Sequence, residues 1–211
     1  MLSHKHQCIF MHIPGTAGTT VEHCFLGKDQ WFINFFEKHC PLSVLEKLPH
    51  NLEYDLNKYF KFSIVRHPYE RMRSLWRFKD GYGFYLNDKG EMEIDKCFDE
   101  DNDFNMEQLP KNTLMSYFGI VLEYPPQFHI HKKNTLYLNY IDVPVNKIYK
   151  FENINECFDE LSEKFSIPRE NFNIKIETSR EKKPNLSKKS KNILKKIQKL
   201  DFEFFNYDPE I

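Results

Sequence analysis

The stretch Cys8-Ile9-Phe10-Met11-His12-Ile13-Pro14-Gly15-Thr16-Ala17-Gly18-Thr19-Thr20 decides the fold. Its first six residues form an apolar run that ends at Pro14, the pattern of a short buried strand. Pro14 to Thr20 is a turn carrying two of the chain's 7 glycines. Val21, Cys24 and Phe25 then fall at helical spacing on one face. Strand, glycine-containing loop and helix together leave several backbone N–H groups pointing at one spot, at the positive end of the helix dipole. That is a cradle for an anion such as phosphate or sulfate. The hydroxyls of Thr16, Thr19 and Thr20 can add donors. The nucleotide-triphosphate loop GxxxxGK[ST] is not met, because the residue after Gly18 is Thr19.

The same grammar repeats outward from this stretch. Phe60-Lys61-Phe62-Ser63-Ile64-Val65 reads as a second strand, stopped by Arg66-His67-Pro68, after which Tyr69, Met72, Leu75 and Trp76 mark one face of a helix. Lys147-Ile148-Tyr149-Lys150-Phe151 reads as a third strand, followed by a helix with Ile154, Cys157, Phe158, Leu161 and Phe165 on one face. A last helix runs from Ser187 to about Leu200, with Ile193, Leu194, Ile197 and Leu200 inward. Strand–helix alternation of this kind predicts an α/β fold: a P-loop-like parallel sheet flanked by helices, as one domain over residues 1–211. Arg66 leaves the C-terminal end of a strand, where open α/β sheets bind their ligands. Ser74 follows about two helical turns later, and an arginine fork plus a hydroxyl can hold a second phosphate.

Charge and composition narrow the classes. Lys plus Arg number 30 and Asp plus Glu 31, so a protein built to coat nucleic acid is not expected. With 40% hydrophobic and 16% aromatic residues the chain can bury a real core. Cys8, Cys24, Cys40, Cys97 and Cys157 are odd in number and scattered, without zinc-site spacing, which predicts reduced, mostly buried thiols and a cytoplasmic setting. No apolar run approaches the ~20 residues of a membrane span, and Met1 to Lys5 lead straight into a strand-like segment rather than a signal peptide. The run Asp88 to Glu107 is strongly acidic, and residues 81–108 read as an acidic insertion or an acceptor loop, with Tyr82, Phe84 and Tyr85 able to stack on a sugar or merely to pack. Arg180 to Lys199 is basic, either a solvated helix face or a wall that attracts an anion.

The two glycine- and arginine-bearing motifs together resemble the sulfotransferases that use 3′-phosphoadenosine 5′-phosphosulfate (PAPS) and release its desulfated product (PAP). Ile9 to Thr20 is similar to that family's 5′-phosphosulfate loop, hIPKTGGTS, and Phe62 to Ser74 to its 3′-phosphate motif, FxxVRNPYxRxxS. The closest resemblance is to the carbohydrate branch, which includes heparan sulfate 2-O-sulfotransferase and chondroitin sulfotransferases. Lys150-Phe151-Glu152-Asn153 and the closing Asp201…Phe205-Asn206-Tyr207 extend a weaker similarity along the chain. The resemblance implies that Pro14, Gly15, Thr16, Ala17, Gly18, Thr19 and Thr20 surround the 5′-phosphosulfate. It implies that Arg66 and Ser74 bind the 3′-phosphate, with Arg180 in a basic loop over it, and that the acceptor is a hydroxyl, most readily a glycan's. No metal is implied.

One position departs from the pattern. The family's loop lysine, which neutralises charge on the leaving oxygen, falls at Gly15. Lys28 is an alternative cation that the sequence leaves open. The intact neighbours Pro14, Thr16, Gly18 and Thr19 argue that the loop keeps a backbone a lysine could adopt. A non-catalytic PAP- or PAPS-binding protein is therefore the rival to an enzyme. A general base is also required, and histidine suits neutral pH. His39 matches the family's placement between the two motifs, and His50 is the other candidate there. His131, alternating with His129 on a strand-like segment, is a further candidate to line the acceptor cleft. The spacing of that pair could serve a metal, but no third ligand is identifiable. His67 stands where the family has Asn and reads as structural.

Overall fold

A computed structural model of the chain describes residues 1–30, 33, 37–75, 85–93, 137–173 and 183–211. Its elements run β1 (Leu2–Ser3), β2 (Cys8–Met11), α1 (Gly18–Leu26), α2 (Leu42–Leu45), β3 (Phe60–Val65), α3 (Pro68–Leu75), β4 (Tyr85–Leu86), β5 (Met92–Glu93), α4 (Tyr137–Tyr140), β6 (Lys147–Lys150), α5 (Ile154–Phe165), α6 (Lys188–Ile197) and α7 (Lys199–Phe204). The chain folds as two compact units, Met1–Arg66 with Asn139–Thr178, and His67–Leu138 with Ser179–Ile211.

The first unit holds a sheet of order β1-β2-β3-β6. β2 and β3 pair in parallel, Cys8 opposite Phe60 and Met11 opposite Ser63. β3 and β6 also pair in parallel, Val65 opposite Lys150. All of β2 is buried, as its unbroken apolar run requires of a strand covered on both faces. Ser63, the polar residue within β3's apolar end, donates its hydroxyl to the Met11 carbonyl at 2.9 Å, so its burial leaves no donor unsatisfied. Val21 and Phe25 of α1 and Cys157, Phe158 and Leu161 of α5 pack with Phe10, Phe62 and Ile64 into one core. The result is a mixed α/β structure whose sheet is mostly parallel and flanked by helices. The edge strand β1, antiparallel to β2, is two residues long, too short to show any periodicity in the sequence. Among the described cysteines, Cys8, Cys40 and Cys157 are buried, Cys24 is half-buried, and all four are free thiols.

In the second unit, α3 begins at Pro68, the first-turn position proline favours. His67 precedes it: Nδ1 accepts from the Tyr69 amide at 3.3 Å and Nε2 donates to the Asp208 carbonyl at 2.9 Å. Its ring meets Phe202 and Tyr207 edge-on, so His67 works as a buried bracket. Asp201, fully buried, takes the Tyr137 amide on both oxygens at 3.2 and 3.3 Å. The closing Asp201…Tyr207 pattern is thus part of this unit's core. The last helix is broken at Gln198 (φ −121°, ψ 26°), which divides α6 from α7. Among the described residues, no helix is long and apolar enough to cross a membrane.

Candidate active site

β2 delivers the chain through His12, Ile13 and Pro14, all buried, into the loop that opens α1. Thr16 is fully buried, and its hydroxyl proton goes to the Ile13 carbonyl at 2.8 Å, bracing the turn from inside. Gly15 has φ +84° and Ala17 φ +67°. Ala17 therefore holds a left-handed conformation that costs a residue with a Cβ roughly 1–2 kcal/mol, the kind of local strain that collects at functional sites. Among the described residues, the amides of Gly15, Thr16, Ala17, Gly18 and Thr19 donate to no acceptor; the first bond of the turn runs from Thr20 N–H to the Ala17 carbonyl at 3.1 Å. A left-handed residue followed by a helical one turns consecutive N–H groups to the same side, forming an anion nest. Thr19 and Thr20, half-buried, sit in the first turn of α1.

Gly18 is required by what lies under it. A Cβ there would fall 2.0 Å from Cδ2 of His12, so the imidazole packs directly against the helix start. His12 Nδ1 meets Glu22 Oε1 at 2.5 Å. Glu22 is one turn beyond Gly18 and has no exposed surface. Its other oxygen accepts from Lys38 Nζ and from the Gln30 amide, each at 3.1 Å, and Lys38 also pairs with Asp29. Burial pushes the Glu22 carboxyl up, but His12 and Lys38 outweigh it and hold the group well below the ordinary carboxylate range. Burial depresses His12, which is therefore neutral and donates Nδ1–H to the Glu22 carboxylate.

His39 sits on this assembly. Its Nδ1 is 2.8 Å from the His12 carbonyl, and the two rings meet edge-on at 4.4 Å between centroids. A carbonyl only accepts, so His39 Nδ1 carries the proton and Nε2 the lone pair. Burial, then the neighbouring His12, hold the imidazole well below its usual value, so it is neutral at pH 7. His50 is placed differently: half of its side chain is exposed and Nε2 pairs with Glu37 at 2.5 Å. Lys28 is exposed just beyond α1.

Arg66 follows β3, half-buried, with its guanidinium carbon 4.0 Å above the centre of the Phe151 ring. Nη1 makes a long hydrogen bond of 3.4 Å to the Gly15 carbonyl, bringing the arginine to the amide-lined loop. In the second unit, Ser74 lies half-buried in α3. Next to it in sequence, Arg73 donates Nε to the Pro184 carbonyl at 3.1 Å and Nη2 to the Lys183 carbonyl at 3.5 Å. Arg180, three residues before Lys183, lies outside the described residues, as do His129, His131, Tyr82 and Phe84. Sequence reasoning missed Glu22, His12 and Lys38. The signal for Glu22 was present: Gly18, Val21, Glu22 and Phe25 are the buried stripe of α1, and a carboxylate in an apolar stripe marks a site.

The arrangement is an amide-lined anion loop with an arginine on one side and a neutral, tautomer-fixed histidine packed beside the strand that feeds it. A family model described as the sulfotransferase family matches residues 1–118, more than half of the chain. The chain belongs to the sulfotransferase family. No curated protein and no solved structure matches it. Membership places it among transferases and implies a hydroxyl-bearing acceptor.

Two imidazoles, the buried His12 and the half-buried His39, make stability pH-dependent. Both have folded values depressed below the unfolded one. Below about pH 6.5 the unfolded chain therefore binds more protons than the folded one, and stability falls as pH falls. Each histidine that stays neutral contributes a slope of up to about 1.4 kcal/mol per pH unit. Glu22, also depressed, acts in the same direction in the more acidic window. Urea unfolding from neutral to mildly acidic pH should show this fall, and an unchanged midpoint across that window would mean that the fold does not hold the imidazoles neutral.

Proposed function

We propose that the chain is a PAPS-dependent sulfotransferase acting on a carbohydrate hydroxyl. The observation that carries the reading is the loop: five consecutive amides from Gly15 to Thr19 without an acceptor among the described residues, beside the Arg66 guanidinium. This is the donor set a phosphosulfate needs. PAPS, when bound, supplies the sulfuryl group that passes in line to the acceptor oxygen. The loop amides and the Thr19 and Thr20 hydroxyls hold the 5′-phosphosulfate. Those amides would also supply fixed donors for the charge that sulfuryl transfer leaves on the phosphate, charge that the family's lysine neutralises and a glycine side chain cannot. Arg66, seated over the Phe151 ring, takes the 3′-phosphate. His39 Nε2 removes the acceptor hydroxyl's proton as the new oxygen–sulfur bond forms. The glycan acceptor rests on the resemblance to the carbohydrate branch.

A second reading, a PAP-binding protein without turnover, is favoured by one observation: φ of +84° at Gly15 is a backbone glycine adopts freely and lysine does not.

Calorimetry with PAP and with adenosine 5′-phosphosulfate tests the cofactor assignment. Arg66→Ala should lower PAP affinity by about 1.5–3 kcal/mol, the worth of a charge-assisted contact, and should affect the ligand lacking the 3′-phosphate far less. Equal losses would take Arg66 off the 3′-phosphate. Failure of the parent chain to bind PAP would remove PAPS as the donor.

A further inference from the structure

One carboxylate holds both supports of His39. Glu22 Oε1 receives His12 Nδ1–H at 2.5 Å, and His12 carries His39 through its carbonyl, at 2.8 Å, and its ring edge. Glu22 Oε2 receives Lys38 Nζ at 3.1 Å, and Lys38 immediately precedes His39 in the chain. The third donor on this carboxylate is the Gln30 amide, which ties the chain just beyond α1 to it. Glu22 has no exposed surface, and its neighbours on the inward stripe of α1 are Gly18, Val21 and Phe25. A hydrophobic side chain would occupy such a position without the several kcal/mol that desolvating a carboxylate costs. What the carboxylate adds is direction: two oxygens, fixed in one plane, aimed at donors from two different segments.

Resting on the reading of His39 as the base, we propose that Glu22 is a positioning residue that locks His39 from both sides. The lock keeps its proton on Nδ1 and its lone pair on Nε2. Through His12 it fixes the carbonyl that selects the tautomer and the ring against which His39 turns. Through Lys38 it fixes the backbone from which His39 projects. If either support loosens, the imidazole can rotate or exchange its proton between nitrogens, and a base with its lone pair on the wrong nitrogen does not meet the acceptor hydroxyl. Glu22 itself touches neither donor nor acceptor, so its removal should affect turnover rather than cofactor binding.

The test reads the ring nitrogens of His39 directly, by nitrogen-15 NMR of the full histidine-labelled chain, with the resonance assigned by its loss in His39→Gln. The wild-type chain should show Nδ1 protonated and Nε2 bare. Glu22→Gln keeps the size of the side chain and an acceptor for His12, but turns an NH2 group toward the Lys38 and Gln30 donors. It should give a mixture of His39 tautomers and a kcat lower by roughly 10–100-fold, the usual effect of losing an outer support, with PAP affinity within a few-fold of the parent. Lys38→Met, which removes one support and leaves the Glu22–His12 pair, should give the same mixing to a lesser degree and keeps the question answerable if Glu22→Gln does not fold. A bare Nδ1 in the wild type, or unchanged His39 nitrogens in a folded Glu22→Gln, would overturn the proposal and leave Glu22 as a structural ion pair. A wild-type chain that transfers no sulfate would overturn His39 as the base instead, since the nitrogen measurement needs no turnover.

Discussion

His39→Ala is expected to lower sulfate transfer by about 10²–10⁴-fold, the range a positioned general base supplies, while PAP affinity stays within a few-fold of the parent. The separation follows from where the side chain is held. His39 is bonded to the His12 carbonyl and packed on the His12 ring, whereas the groups proposed to hold phosphate are loop amides and Arg66, which this substitution leaves in place. Since the imidazole is kept neutral, the base should already be competent at pH values where a free histidine is half protonated. The acidic limb of the kcat profile should therefore lie below the ordinary histidine range. A variant retaining parental kcat would make His39 structural and bring His131 forward. A limb at the ordinary range would indicate that burial does not govern this group.

The three parallel strands were legible because each is a short apolar run cut off by a breaker: Pro14 after β2, Arg66-His67-Pro68 after β3, and a helical stripe after β6. The helices α1, α3 and α5 followed from their spaced apolar residues. The break at Gln198 was not legible, because Ile193, Leu194, Ile197 and Leu200 keep helical spacing straight through it. At the site, the loop could be read from its glycines, and so could its position before a helix. The state of His39 could not be read. It depends on a carbonyl 27 residues earlier in the chain and on the partial desolvation of an imidazole, both consequences of tertiary packing rather than of local pattern. The Thr16 hydroxyl illustrates the same limit. As a residue type it is a ligand donor, but its proton is committed to Ile13.

Gly15→Lys should move stability and turnover in opposite directions. The expectation that the loop keeps a lysine-compatible backbone, drawn from its intact neighbours, does not hold: Gly15 has φ +84°, in the left-handed region. A lysine there should destabilise the fold by roughly 1–2 kcal/mol, visible as a lower denaturation midpoint. That strain acts on the folded chain with or without substrate, so it cancels between the bound ground state and the transition state. It does not oppose kcat as long as the loop keeps its shape, and two contacts hold that shape: Thr16 Oγ1 to the Ile13 carbonyl and Arg66 to the Gly15 carbonyl. The added ammonium restores a fixed cation beside the leaving oxygen, where one preorganised donor is worth about 10²–10³ in rate. With a suitable polysaccharide acceptor and labelled PAPS, kcat should therefore rise about a hundredfold over the parent, with PAP affinity little changed. If the variant folds and binds PAP yet gains nothing, the missing lysine is not what limits this site, and the chain is a PAP-binding protein or works by another route. If PAP affinity collapses along with stability, the loop has moved to relieve the strain at position 15, and the amide nest rather than the cation is what the glycine preserves.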